Sequence, residues 1–266
     1  MTANGYAAAT QPITADTIHT SADGLIAGDV EITAFDGFVL PAYRAMPDGG
    51  GPMYPLVLVV QEIFGLHEYV KDVCRRIAQR GYVAVAAQTF ARAGDPSTLT
   101  DVAEIRPIVN ATSDATTVAD LDACLDWAVR ESSADPARVG ITGFCWGGRT
   151  VWLYAAHSCV LRAGVAWYGR LAGDITPNQP SWPVDVARSL KAPVLGLYGA
   201  DDPSIPPEVV DRMTAELKAA GSPSMIRLYP GAPHGFHADY RPSYRPAAAL
   251  DGERRLFDWL ARFGVI

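Results

Sequence analysis

The sequence predicts an α/β fold: one mostly parallel central sheet, helices on both faces, and a β-hairpin near the N-terminus. Three observations carry this expectation. Strand-type and helix-type segments alternate along nearly the whole chain, as they do when helices cross over between parallel strands. The runs Leu56-Val-Leu-Val-Val60 and Pro193-Val-Leu-Gly-Leu-Tyr198 are continuously apolar, as strands buried on both faces require. Finally, the stretch from Val139 to Ala156 begins as an apolar strand and ends as a helix, with glycines crowded at the joint.

The elements follow in order. Asp29–Phe35 alternates polar and apolar residues, Asp36-Gly37 is a strong two-residue turn signal, and Phe38–Arg44 returns as the second arm of a hairpin. Met46–Pro55 is rich in Gly and Pro and reads as a loop. Leu56–Val60 is the first buried strand, Gln61–Gly65 leaves its C-terminal end, and a helix is expected over about Glu68–Arg80. Tyr82–Ala86 is the next strand, and Gln88–Thr100 a loop. Asp114–Arg130 carries Val118, Leu121, Leu125, Ala128 and Val129 at helical spacing. After the glycine-rich joint, Arg162–Tyr168 reads as a strand and Leu171–Ser189, with three prolines, as an irregular connection. Pro193–Tyr198 is a strand, and Pro207–Ala220 a helix opened by Pro and closed by Gly221. Ser224–Tyr229 is the last strand, Pro230–Arg245 a loop, and Pro246–Phe263 the closing helix.

Composition narrows the function classes. Hydrophobic residues make up 49% and charged residues 19% of the chain, enough for a core and too ordinary for disorder. A net charge of −7 without a basic cluster argues against nucleic acid and anionic membrane surfaces as partners. The four cysteines lie far apart, with no metal-ligand spacing, so neither a metal nor another cofactor is expected, and reduced thiols in the cytoplasm are. Met1–Ser21 has no Lys or Arg and no long apolar run, unlike a signal peptide or a membrane span. The expected organisation is an N-terminal arm over 1–25 and a single domain over 26–266, acting as a monomer or small homo-oligomer.

The chemistry gathers at Gly143-Phe-Cys145-Trp-Gly147. A strand that reverses directly into a helix crowds the residues two before and two after its apex, and leaves the apex side chain exposed. The helix start beside the sulfur favours thiolate and a developing oxyanion. Cysteine as a nucleophile needs a base and a group to orient that base. Asp202 and His234 follow Cys145 in the chain, each just past a separate predicted strand, and nucleophile–acid–histidine is the chain order of the α/β-hydrolases. Asp201 competes with Asp202, which is preferred for its place in the D-x-x-[IV]-P pattern. His237 competes with His234. His67, His157 and His19 are weaker candidates. The plain structural alternatives are that Cys145 is a small buried hydrophobe, that either Asp only caps the following helix, and that the histidines are surface residues.

With these pieces in place, the chain resembles the dienelactone hydrolases (carboxymethylenebutenolidases), which have the α/β-hydrolase fold. The matching stretches are Gln61-Glu-Ile-Phe-Gly65, Phe90-Ala-Arg92, Gly143–Gly148, Trp167-Tyr-Gly169, Tyr198–Pro206 and Pro233-His-Gly-Phe236. The resemblance implies a hydrolase that opens a lactone or related activated ester through an acyl-enzyme on Cys145. His234 is then the base, Asp202 its orienting acid, and the backbone N–H groups of Ile63 and Trp146 the oxyanion hole. Glu62 is expected beside the resting thiol. The family's substrate carboxylate implies a pair of arginines: Arg92 matches the first, and Ala238 stands where the second is expected, with Arg241 and Arg245 slightly further on. The competing readings are a broad carboxylesterase or thioesterase on the same scaffold, and a non-enzymatic thiol sensor.

Overall fold

The computed structural model describes residues 17–50 and 53–266. Among the described residues eight strands form one sheet: β1 (Leu25–Thr33), β2 (Val39–Pro47), β3 (Tyr54–Val60), β4 (Val83–Ala87), β5 (Ala134–Phe144), β6 (Leu161–Trp167), β7 (Val194–Gly199) and β8 (Met225–Tyr229). Their order across the sheet is β1-β2-β4-β3-β5-β6-β7-β8. The β1–β2 hairpin is antiparallel, β2 pairs antiparallel with β4, and every later pairing is parallel. The expected hairpin forms with Asp36-Gly37 in its turn, and this mostly parallel sheet with its helices is the α/β-hydrolase fold the sequence predicts.

The helices are α1 (Glu68–Ala78), α2 (Val102–Ala111), α3 (Asp114–Glu131), α4 (Trp146–His157), the single turn α5 (Pro183–Val186), α6 (Pro207–Ala219) and α7 (Pro246–Arg262). Local chemistry sets their ends. The Ser113 hydroxyl accepts from Thr116 N–H at 3.1 Å and caps α3. Beyond α6, Gly221 takes φ +62° while its N–H and that of Ser222 satisfy the carbonyls of Lys218 and Leu217. Val57 to Val60 and all of β4 and β7 are buried, and each Val or Leu so covered contributes about 1.5–3 kcal/mol of transfer free energy.

Two elements depart from expectation. Val102–Ala111, which carries no strand or helix expectation, is helical despite Pro107 in its interior; the Asp101 carboxylate caps it by accepting from Ala103 N–H at 2.8 Å. The irregular stretch before β7 includes the turn α5, started by Pro183. Most of the expected N-terminal arm, residues 1–16, lies outside the described residues. Its end is tied down: Thr20 N–H donates to Asp72 at 2.6 Å, and the Arg75 guanidinium donates to Thr20 O at 2.9 Å. Buried Asp72 also holds Arg76, whose guanidinium reaches Asp239 at 2.5 Å and Glu253 at 3.1 Å. This joins α1 to the loop after β8 and to α7. Among the described residues, no helix is long and apolar enough to cross a membrane.

Candidate active site

β5 ends at Phe144 and α4 begins at Trp146, so Cys145 alone makes the reversal. Its backbone sits at φ 54°, ψ −112°, a conformation that costs a non-glycine residue about 1–3 kcal/mol and persists only when its surroundings enforce it. Those surroundings are specific. Cys145 N–H donates to Trp167 O at 2.9 Å on one side, and Gly147 N–H donates to Gln61 O at 3.1 Å on the other. A Cβ on Gly143 would strike the Gly147 carbonyl, and one on Gly147 would strike the carbonyl of Val60. The elbow is thus wedged between the ends of β3 and β6, with the half-buried thiol at its apex.

The Cys145 side chain stands near enough to His234 to act on its charge. His234 Nδ1 lies 2.7 Å from Asp202 Oδ2. Ser204 fixes the other carboxylate oxygen, its N–H and hydroxyl donating to Asp202 Oδ1 at 2.9 and 2.6 Å. Burial alone would lower the pKa of His234; the electrostatic influence of Cys145 and the Asp202 hydrogen bond outweigh it and raise it to about 10. Burial likewise raises the pKa of Asp202, but its bonds to His234 and Ser204 win and hold it below the ordinary value. The imidazolium and carboxylate forms are therefore favoured together.

Neither rival is placed in this line. Asp201 is exposed, and its N–H donates to Ala232 O at 3.1 Å. His237 is buried behind the site, between Tyr69 Oη at 2.6 Å and Glu253 at 3.0 Å. Glu62 is fully buried, and its hydrogen bonds go to the Tyr240 hydroxyl and, more loosely, to Arg241 at 3.4 Å. Burial works against the Arg241 charge, and Glu62 more than offsets it, keeping its pKa above the ordinary value. His67 packs edge-on against Tyr240 with its Nε2 buried and unpartnered. Burial pushes its pKa down to about 4, despite the nearby Glu62 charge.

The backbone N–H of Trp146, in the first turn of α4, belongs to a helix end whose donors have no intrahelical partner. Ile63 follows β3 on the strand next to the elbow. The structure does not bring all three arginines to one carboxylate-sized spot. Arg241 is at Glu62, but Arg92 is held by Asp36 at 2.7 Å and Asp120 at 2.8 Å and stacks on Phe38. Arg245 caps backbone carbonyls of Pro242 and Tyr244. Sequence reasoning missed Ser204, Tyr240 and Tyr168, whose ring stands edge-on to His234 at 5.1 Å. Ser204 had a local signal, since Asp-x-Ser is an Asx-turn pattern; Tyr240 meets Glu62 across 178 residues and had none.

Comparison with known proteins finds relatives along nearly the whole chain. The model of the dienelactone hydrolase family matches residues 40–264. A protein of Methylorubrum extorquens that carries the provisional name carboxymethylenebutenolidase is 56% identical over 99% of this chain and 90% of its own length. A Bradyrhizobium protein, provisionally named a 2-oxo-3-(5-oxofuran-2-ylidene)propanoate lactonase, is 32% identical over 78% of this chain and 83% of its own. A crystal structure from Klebsiella pneumoniae, provisionally titled a dienelactone hydrolase, superimposes with a TM-score of 0.87 at 48% identity, covering 90% of this chain and 99% of the other.

Proposed function

The chain belongs to the dienelactone hydrolase family and is a hydrolase of that type, and from this premise we propose that it opens lactones or related activated esters through a thioester on Cys145. The observation that carries the reading is the line Cys145–His234–Asp202, with the sulfur at the apex of a left-handed elbow. The thiolate attacks the carbonyl carbon, a C–S bond forms, and the carbonyl electron pair moves to oxygen. The N–H groups of Trp146 and Ile63 donate to that oxyanion, an arrangement worth several kcal/mol. Collapse breaks the acyl C–O bond, and His234 gives its proton to the departing oxygen. His234 then takes a proton from water, which attacks the thioester and releases the acid and the thiol. Asp202 keeps Nδ1 protonated, so that Nε2 serves as the working atom.

A substrate carboxylate fits this reading, since the lactone in the name of the Bradyrhizobium relative carries one. Arg241 is the arginine to receive it, by exchanging its long Glu62 contact for a shorter one. Released Glu62 is then a second carboxylate near the thiol, held by Tyr240. Arg92 already faces two carboxylates, so the reading does not rest on it, nor on Arg245. The four unpaired cysteines support a reducing compartment such as the cytoplasm. A thiol sensor has no use for the oriented His234–Asp202 pair.

The test is Cys145→Ala. Circular dichroism and melting should match the parent, while hydrolysis of an aryl acetate or a dienelactone should fall by orders of magnitude. Near-normal turnover by the folded variant would sink the proposal.

A further inference from the structure

The two oxygens of the Asp202 carboxylate have different duties. Oδ2 faces His234 Nδ1 at 2.7 Å. Oδ1 is held by Ser204, which among the described residues supplies both of its hydrogen bonds, from the backbone N–H at 2.9 Å and the hydroxyl at 2.6 Å. Having given its proton to Oδ1, the hydroxyl turns its oxygen toward Nδ1, 3.3 Å away. One uncharged side chain thus touches both members of the pair, from the Nδ1 side of the imidazole.

The turn that carries Ser204 does not depend on that hydroxyl. Ser204 is exposed, while the carboxylate it bonds is fully buried. Pro203 restricts the backbone before it, buried Ile205 anchors the backbone after it, and Ile205 N–H donates to Asp202 O at 3.2 Å. The hydroxyl can therefore be removed with the loop left in place. Its electrostatic effect has a definite sign. A donor on one carboxylate oxygen draws negative charge from the other, so Oδ2 holds Nδ1–H less strongly and stabilises the imidazolium less. The approach of the hydroxyl oxygen to Nδ1 acts in the opposite sense, but at 3.3 Å it is the weaker of the two contacts. The titratable groups that face His234 are Asp202, Cys145 at the elbow and the Tyr168 phenol after β6. Changing Ser204 alters the pair without adding or removing a charge.

We propose that Ser204 is a positioning residue that tunes the His234–Asp202 pair: by drawing charge toward Oδ1, its hydroxyl keeps the imidazolium a strong enough acid to release its proton to a poor leaving group. The proposal rests on the hydrolytic reading of Cys145, in which His234 protonates the departing oxygen. A buried carboxylate bonded through Oδ2 alone would grip the imidazolium more tightly and slow that transfer. Esters whose leaving oxygen departs without help would not notice the difference, whereas lactones and simple esters, whose leaving oxygen is basic, would.

The experiment compares Ser204→Thr with Ser204→Val, two side chains of one shape that differ by the hydroxyl. Because valine fills the space of threonine, it hinders a water from replacing the lost donor. The first readout is the titration of His234, followed by NMR of isotope-labelled histidine in the Cys145→Ala background. That background removes the largest upward influence on the imidazole and brings the midpoint into the range where the folded chain can be measured. The valine form should titrate about one unit above the threonine form, and the threonine form close to the parent. Equal midpoints would overturn the proposal. So would a lower midpoint in the valine form, the result expected if Ser204 only keeps the carboxylate in place. The second readout uses the proteins with Cys145 intact. Ser204→Val should lower kcat/KM for phenyl acetate about threefold relative to Ser204→Thr, and change that for 4-nitrophenyl acetate, with its better leaving group, by less than about 1.5-fold. An equal loss on both esters would overturn the proposal. If no form hydrolyses either ester, the hydrolytic reading fails by itself, and the titration still decides what Ser204 does to the pair.

Discussion

His234 and His237 lie three residues apart, and their surroundings give them different work. His234 is paired to Asp202 and stands near Cys145, whereas His237 is buried between Tyr69 and Glu253. His234→Ala should abolish turnover while the far-UV circular dichroism remains that of the folded parent. His237→Ala leaves the buried Tyr69 phenol and the half-buried Glu253 carboxylate short of a partner and should cost stability by roughly 1–3 kcal/mol, read by urea unfolding. The same logic separates the acids: Asp202→Asn should reduce kcat far more than Asp201→Asn, because only the former touches the imidazole. His67 adds a pH signature. Its folded pKa, about 4, lies below the ordinary 6.5, so the unfolded chain binds the proton first. Stability should fall as pH drops from about 6.5 to about 4, by up to on the order of 2–3 kcal/mol. His67→Phe should flatten that limb; an unchanged slope would show that other groups set it. The raised pKa of His234 has the opposite sign: its contribution is complete below about 6.5 and fades as pH rises through about 10.

At the scale of elements, the elbow is the joint most sensitive to volume. Gly147→Ala puts a methyl group into the Val60 carbonyl, and β3 cannot retreat because β4 and β5 flank it. The variant should lose several kcal/mol, about 3 or more, or fail to fold. Gly28→Ala on β1, where an added Cβ meets nothing within 4 Å, should be neutral within about 0.5 kcal/mol and serves as the control in the same melting series. Strands, long helices and the elbow were legible in the sequence because each is written locally, in periodicity, caps and glycine spacing. α2 escaped because Pro107 interrupts a short pattern that the Asp101 cap and the burial of Ile105 and Val109 sustain. The line Cys145–Asp202–His234 was also legible, since parallel topology brings successive strand ends to one edge. The neighbours of Glu62 and Arg92 were not, because Tyr240, Asp36 and Asp120 reach them only through the finished fold.

Across the whole molecule, the sheet gathers its chemistry at the C-terminal ends of β3, β5, β7 and β8. Arg76 ties the loop after β8 to α1 and α7 from behind, so the loop that carries His234 is anchored at both its flanks. Among the described residues, no strand pairs with the outer edge of β8. That strand is five residues long, and Met225 and Leu228 are 48% and 41% exposed. Arg227 stands between them with its guanidinium over Tyr229. A short, apolar free edge is a template for joining to another copy of itself, and a single charge in its middle is a natural guard against that. Arg227→Val turns the strand into Met-Ile-Val-Leu-Tyr, an uncharged run of high β-propensity. Its melting temperature should stay within a few degrees of the parent, yet light scattering during refolding at micromolar concentration should rise well above it. On this view one exposed arginine with no part in the chemistry sets the concentration at which the protein can be made.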